Sequence, residues 1–440
     1  MNDKPPQHII IDQSPGEIRV AVLELGRLSN IYLEREHQSS LRGALILGKL
    51  QAVKKELNAV FLDLGHVVGY LEGIPKSLPA EGGALLVEVL SEPRGNKGAR
   101  VTDKFMVAGI LVDINPNESG YAISRAIKSK GKRAAIRELL YDLVPKDIGA
   151  FVKSTALNSD MQGLEEELKE LLSSWERIQS EIKLGGQPKM IKPSPKLVKL
   201  TSGYDENTII EKGKNGLLFD KFNIDIQISN ALEPTIKIKG GIVLIFEEME
   251  ALTAIDIDLA SFKTAQSHPR ELAETLAKEI FWQIRLRKLS GVILIDYPRA
   301  KSLREREHFF EELKKIASRD ESNITIHGWT RTGLLEVTKK RLEPSLREIF
   351  ISKNSSQKPL VEISALEALR KLITNSLGIA EPQLVCAREL KTAFMGPLRR
   401  ALDEVNGQLG VNVDFQVDPN LSHEEFYIHA RKRKKNEKQL

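Results

Sequence analysis

Cysteine is nearly missing: one thiol, Cys386, stands in 440 residues. That excludes an intrachain disulfide framework and any zinc site built from several thiolates of one chain. A reducing, cytoplasmic compartment is the expectation. Long apolar runs are also missing, since no stretch reaches the roughly 18 apolar residues of a membrane span. The opening MNDKPPQHII has no apolar segment behind a basic one, so the chain is expected to be neither secreted nor membrane-spanning. A large charge of either sign is absent as well. The 65 Lys and Arg against 60 Asp and Glu leave +5, which permits an anionic partner without requiring one. The eight His show no HExxH spacing, and no Ser-His-Asp arrangement is supported. His327 beside Trp329 reads as structural. Gly82–Gly83 and Gly240–Gly241 lack the context of a Walker loop or a dinucleotide fingerprint and read as hairpin turns. What is present is an ordinary folded composition, 41% hydrophobic and 28% charged, in a chain about three times the modal domain length.

Alternating apolar residues from Glu17 to Leu33 predict paired strands. Between Arg42 and Val101 short strand-like runs follow one another (GALILGKLQAV, NAVFLDLG, VVGYLEGI, GALLVEVL), which predicts a small barrel of the OB type. Helical periodicity follows at Lys130 to Leu143 and at Gly163 to Ile182, where Leu164, Leu168, Leu171, Leu172 and Trp175 share a face. QPKMIKPSPK reads as a loop. Strands are expected around Leu197 to Leu200, Ile224 to Ile228 and Thr235 to Phe246. Leu252 to Asp258 and Gly291 to Tyr297 are apolar runs of strand length, with a helix from about Pro269 to Leu289 between them. A helix from Arg304 to Ala317 leads to the strand NITIHGW. The last stretch predicts a helix Ile363 to Leu377, the strand QLVCA holding a buried Cys386, a helix Leu390 to Gly407, and the strands VNVDFQV and FYIHARKRKK.

Asp256 and Asp258 lie two apart in one strand and leave the same face, while Asp296 ends the partner strand. Crevices beyond the carboxyl ends of parallel strands are the usual ligand sites of open α/β sheets. Three acids there would repel one another unless a cation joined them. Mg²⁺, with Mn²⁺ as an alternative, takes one or two carboxylates, water and substrate phosphate oxygens, and would serve attack on a phosphodiester. The competing reading is that the acids are solvated strand ends paired with Arg285, Arg287 or Lys288. In the barrel, Phe61, Tyr70 and the RGNKG turn with Arg94 and Lys97 form a stacking platform with phosphate grips, suited to single-stranded nucleic acid. A Phe in a strand is otherwise more often core.

EALTAIDID, QIRLRKLSGVILID and RTGLLEVTKKRLEPSL, in that order, resemble the catalytic region of the ribonuclease E / ribonuclease G endoribonucleases, and RGNKGARVT with NAVFLDLG and GYL resembles their RNA-binding barrel. The resemblance implies an α/β protein of several α+β subdomains. A ribonuclease-H-like body (1–40 and 195–232) is split by an OB-fold barrel (41–103) and a 5′-end sensor-like subdomain (104–194). A DNase-I-like catalytic subdomain (233–350), a linker (351–361) and a small α/β domain with a basic tail (362–440) follow. It further implies Mg²⁺ on Asp256 and Asp296, assisted from Asp258, where the family usually has asparagine. Phe61, Tyr70 and Lys97 would hold RNA. The products would carry 5′-phosphate and 3′-hydroxyl ends, and the role would be in RNA decay and processing, including that of rRNA.

Two departures stand out. In the 5′-phosphate pocket Gly109 matches and Arg125 is a further candidate. Lys153 and Ser154, however, replace an Arg and Thr pair, Asp113 replaces an apolar residue, and Asn323 replaces an arginine. Lysine lacks the bidentate fork of arginine and an aspartate repels phosphate, so a weakened preference for 5′-monophosphorylated RNA is expected. After RLEPSL the family has a zinc-linking CPxC motif; here REIFISKNSSQKP has no cysteine. No zinc is expected, and a homodimer is left to other contacts. The alternative function is a catalytically weakened RNA-binding protein of the same fold. Residues Arg431 to Lys435 would then touch RNA phosphates or be a solvated end.

Overall fold

The structure, a computed structural model, describes residues 7–37, 40–75, 78–93, 97–157, 159–194, 197, 208–238, 240–259, 269–298, 302–320, 323–351, 359–376, 379 and 381–431. The chain divides into two compact units, one of residues 40–195 and one of residues 1–39 with 196–440. No helix among the described residues is long and apolar enough to cross a membrane.

In the larger unit, strands β1 (Gln7–Ser14), β2 (Glu17–Glu24) and β3 (Arg27–Arg35) run antiparallel, as the alternation of Ile18, Val20 and Val22 predicts.

The smaller unit holds the barrel. Strands β4 (Leu45–Lys54), β5 (Ala59–Asp63), β6 (Val68–Glu72), β7 (Ala84–Ser91) and β8 (Ala99–Thr102) are ordered β4-β5-β6-β8-β7, and β7 pairs back onto β4. The sheet therefore closes, around a core that includes Val60, Leu62, Leu71, Val87 and Val101. Gly82–Gly83 is not a hairpin turn, because the strands it separates, β6 and β7, do not pair: β8 lies between them. Strands β9 (Val107–Ala108), β10 (Val112–Asn115), β11 (Gly120–Ile123) and β12 (Gly149–Val152) make a second sheet, and helices Lys130–Leu143 and Met161–Leu184 cover it with Ile136, Leu140, Leu164, Leu168 and Trp175. The helix Met161–Leu184 begins where the Asp160 side chain accepts the Gly163 amide. QPKMIKPSPK is not all loop. Lys189–Lys192 forms β13, paired antiparallel with β4 at Leu45–Leu47, before the stretch from Lys49 that β5 pairs.

Back in the larger unit, β14 (Ile209–Lys214) pairs parallel with β1. The strand expected at Ile224 to Ile228 is a helix, Ile224–Leu232. Ile224, Ile226 and Ile228 imitate strand alternation, but Ile224 and Ile228 bury together one helical turn apart while Ile226 is 60% exposed. They pack with Ile10, Leu23, Ile31 and Phe219. Of the strand expected at Leu197 to Leu200, only Leu197 is among the described residues.

Six strands form the sheet that carries the candidate site: β15 (Thr235–Lys237), β16 (Val243–Glu248), β17 (Leu252–Asp258), β18 (Gly291–Ile295), β19 (Ile324–Trp329) and β20 (Leu335–Lys339). Their order is β15-β16-β17-β18-β20-β19, and only β17 and β18 pair in parallel. A parallel pair needs a crossover, supplied by helix Pro269–Leu286. Leu276, Ile280, Phe281 and Ile284 of that helix, with Phe309, Leu313 and Ala317 of helix Leu303–Arg319, are buried. Most of them join one core with Ile255, Ile293, Ile295 and Val337 of the sheet. Gly240 and Gly241, at φ +91 and +84, turn between β15 and β16, as the sequence indicates.

The C-terminal part places β21 (Pro382–Cys386) between β22 (Asp414–Val417) and β23 (Phe426–Ala430), and Cys386 is fully buried. The helix expected over Leu390 to Gly407 is two, Arg388–Met395 and Arg399–Leu409. Pro397 has no amide to donate and would clash with the carbonyl four residues back, so a continuous helix breaks there. A buried ion cluster ties this part to β2 and β3: Glu17 accepts from Arg35 at 2.9 Å and from Arg370 at 3.0 Å, while Glu362 meets Arg35 at 3.2 Å.

Candidate functional site

Ile255 and Ile295 are register partners on β17 and β18, both buried toward the helices. The next residue after each, Asp256 in β17 and Asp296 just past β18, is exposed and points to the face opposite those helices. The Asp296 amide donates to the Ile255 carbonyl at 2.9 Å, which fixes Asp296 beside Asp256 at the carboxyl end of the parallel pair. Tyr297 then turns inward, 1% exposed, its hydroxyl donating to the Ala273 carbonyl. Burial pushes its phenol far above the ordinary range, so it stays a neutral donor. Tyr297 thereby fixes the outward side of Asp296. Its part is not visible in sequence beyond its place directly after the aspartate.

Asp258 leaves the same face as Asp256, opposite Val243. Among the described residues no group of three or more His, Cys, Asp or Glu side chains is arranged to hold a metal ion. Asp256 and Asp296 are the two carboxylates that adjoin across the parallel pair. Two hard oxygen donors, leaving the remaining positions to water and phosphate, match how Mg²⁺ or Mn²⁺ is commonly held. The cations of the competing reading are engaged elsewhere. Arg285 pairs with Glu24 at 3.0 Å and Asp320 at 3.4 Å, and Lys288 pairs with Glu343. Arg287 donates to Gln283 and to the Glu233 carbonyl. His327 bonds Thr338 at 2.6 Å, in keeping with a structural part.

On the barrel, Phe61 and Tyr70 are register partners on β5 and β6, half-buried on the outer face because Val60, Leu62 and Leu71 point inward. Their rings meet edge to face with centroids 5.7 Å apart. Lys97 is exposed just before β8. The next residue must be glycine, since a Cβ on Gly98 would sit 2.4 Å from the Val68 carbonyl oxygen. Arg94 lies outside the described residues, as do the basic residues that follow Arg431 and the linker residues 352–358.

The Gly109 loop is closed from within. The Gly109 amide donates to Asp113 Oδ1 at 3.1 Å, and the Leu111 and Val112 amides donate to Glu167 Oε1 at 2.8 and 3.2 Å. Lys153 Nζ reaches both Asp113 and the Gly109 carbonyl at 2.7 Å. A Cβ on Gly109 would lie 2.2 Å from Glu167 Oε1. Arg125 and Ser154 are exposed and take no part in this network. Two carboxylates thus occupy three backbone amides of this loop. Glu167 was not singled out by sequence reasoning, and nothing in the motifs points to it.

Comparison with known proteins adds relatives to this geometry. A model of the Ribonuclease E/G family matches residues 107–202 and 198–342, more than half of the chain. Ribonuclease G of Haemophilus influenzae is 24% identical, with 96% of this chain and 98% of that protein aligned. Ribonuclease G of Escherichia coli K12 is 23% identical, over 96% and 99%. Ribonuclease E of Haemophilus influenzae is 28% identical over 76% of this chain and 41% of its own length.

Proposed function

We propose, on the premise that the chain belongs to the ribonuclease E/G family, that it is an endoribonuclease acting on single-stranded RNA with a divalent cation, Mg²⁺ or Mn²⁺, and leaving 5′-phosphate and 3′-hydroxyl ends in RNA decay and processing. The observation that carries this reading is the placement of Asp256 and Asp296 side by side at the ends of two parallel strands, on the face opposite the one that packs against the two helices. These two carboxylates would hold the ion, which when bound supplies a water of lowered pKa and neutralises charge on the phosphodiester. Asp258, on the same face, adds a second negative charge to β17 where the family usually has an amide; this favours a hard cation. Phe61 and Tyr70 offer ring faces to bases and Lys97 a cation to the backbone, which keeps the strand single and extended.

Engagement of the Gly109 amide by Asp113, and of the Leu111 and Val112 amides by Glu167, supports cleavage that is indifferent to the 5′ end. A terminal phosphate would have to displace a carboxylate from each donor it used. The expected homodimer, if formed, uses contacts other than a thiolate zinc link, since the sole cysteine is Cys386, in a strand core.

The test is incubation of a fluorescent single-stranded RNA with the purified protein, Asp256→Asn and Asp296→Asn, with and without Mg²⁺. Cleavage should require the metal and fall by roughly 10² or more in each variant while RNA affinity holds. Equal cleavage by the variants would overturn the assignment, and binding without cleavage by the unaltered protein would favour an RNA-binding protein.

A further inference from the structure

We propose that Arg100 is a further RNA-contacting side chain of the barrel, beside Phe61, Tyr70 and Lys97, gripping the phosphate next to a base stacked on Tyr70; this rests on the reading that the barrel binds single-stranded RNA. Register carries the argument. Phe61 on β5 pairs with Tyr70 on β6, and Tyr70 pairs in turn with Arg100 on β8. Residues paired in register across a sheet share a face, and strands lie about 4.8 Å apart. Ala99 and Val101, on either side of Arg100, are buried at 0% and 3%, so Arg100 projects outward with the two rings. The three side chains form one row across the barrel, ring, ring and guanidinium, and the row continues the platform away from β5.

The partner of Arg100 shows what it is set up to hold. Its Nη2 donates to Glu72 Oε2 at 3.0 Å, with the two side chains 44% and 71% exposed. A pair so open to water contributes little to stability. Glu72 lies two residues beyond Tyr70 on the same face of β6, so its carboxylate marks an oxyanion position beside the Tyr70 ring. A phosphate oxygen can take that position in the same fork geometry, with the carboxylate swinging into solvent. Glu72 then competes with RNA for Arg100.

Binding of a fluorescent ten-nucleotide single-stranded RNA to the full chain, across KCl concentrations, tests this. Arg100→Ala should weaken affinity about 5- to 20-fold at low salt and flatten the plot of log K against log salt by about 0.7, the value of one single-strand phosphate contact. Arg100→Lys should keep the slope. Glu72→Gln should tighten binding about 2- to 5-fold, an effect that a merely structural pair would not give. Phe61→Ala separates the two levels of the argument. If Phe61→Ala weakens binding while Arg100→Ala leaves affinity within twofold and the slope unchanged, the assignment of Arg100 is wrong and the barrel reading stands. If neither variant weakens binding, the barrel reading fails and the assignment falls with it.

Discussion

Exchanging Asp113 for asparagine removes one negative charge from the Gly109 loop and keeps an oxygen for the Gly109 amide. The Asp113 side chain is 13% exposed and Lys153, 28% exposed, is its ion-pair partner at 2.7 Å. In the unaltered protein Lys153 is neutralised where it stands, so an entering terminal phosphate finds no net positive charge there. At about 5 Å and an effective dielectric of about 20, one unit charge acts on another with roughly 3 kcal/mol. The pocket is partly open and salt screens it, so the gain for a 5′-monophosphate is better set at about 1 to 1.5 kcal/mol, or roughly tenfold. Lys153 loses its partner, which costs about 1 kcal/mol of stability, readable in a melt. The assay compares cleavage rates of two RNAs of one sequence, one bearing a 5′-monophosphate and one a 5′-hydroxyl. The unaltered protein should give a ratio near one. Asp113→Asn should raise it about tenfold, and adding Lys153→Ala should return it to one. A large monophosphate advantage in the unaltered protein, or no change on Asp113→Asn, would refute the idea that this loop is closed by its own carboxylates.

Lys339 offers a pH test. Burial lowers its ammonium from the ordinary 10.5 to about 8, so below pH 8 a charge unfavourably buried opposes folding. Between pH 8 and 10.5 the unfolded chain binds more protons, and stability rises with pH. Lys339→Met should be more stable than the unaltered protein at pH 7 by on the order of 1 to 2 kcal/mol, after allowance for partial exposure, and the gap should narrow by pH 9.5; a pH-independent gap in urea unfolding would contradict the assignment. Arg370→Ala leaves Glu17, 4% exposed, with Arg35 alone, and should cost about 2 to 3 kcal/mol in the same assay; a change within 0.5 kcal/mol, the ordinary spread of surface substitutions, would show that the cluster does not hold the C-terminal part. Gly98→Ala forces the start of β8 away from Val68 and should cost about 1 to 3 kcal/mol and weaken RNA affinity through displacement of Lys97; an unchanged melt and affinity would mean the approach is not tight.

What the sequence made legible is what depends on near neighbours. The helix Lys130–Leu143 starts and ends where its apolar period does, and the strand-helix-strand unit around Pro269–Leu286 follows from two apolar runs bracketing an amphipathic one. Asp256 and Asp258 share a face by strand alternation alone, and placing Asp296 near them needed only a parallel pairing. Errors arose where a local pattern admits two periods. Three isoleucines at alternate positions read as a strand, and only the choice of which to bury, made by Phe219 and the sheet beneath, settles the helix at Ile224–Leu232. The barrel was legible because its five strands follow one another closely, whereas the addition of β13 to β4 pairs segments as far apart as Leu47 and Lys189, which no window of sequence encloses.

The Gly109 loop shows the same limit acting on function. Read along the chain, lysine for arginine at position 153 and aspartate for an apolar residue at position 113 are two separate losses, each weakening a phosphate pocket in its own way. In space they are one event, because each charge lies within 2.7 Å of the other. Each satisfies the other: a lone aspartate there would be a less well hydrated anion, and a lone lysine would leave its ammonium to the Gly109 carbonyl and solvent. Glu167 adds what the pair cannot, by accepting from Leu111 and Val112 on the far side of the same turn. The loop is then satisfied without any ligand, which also explains why its glycine is still required. With the Val112 carbonyl oxygen at 2.5 Å from the place of a Cβ and the Glu167 carboxylate beside it, Gly109 serves the close packing of its own loop, and its presence alone is not a sign that phosphate binds.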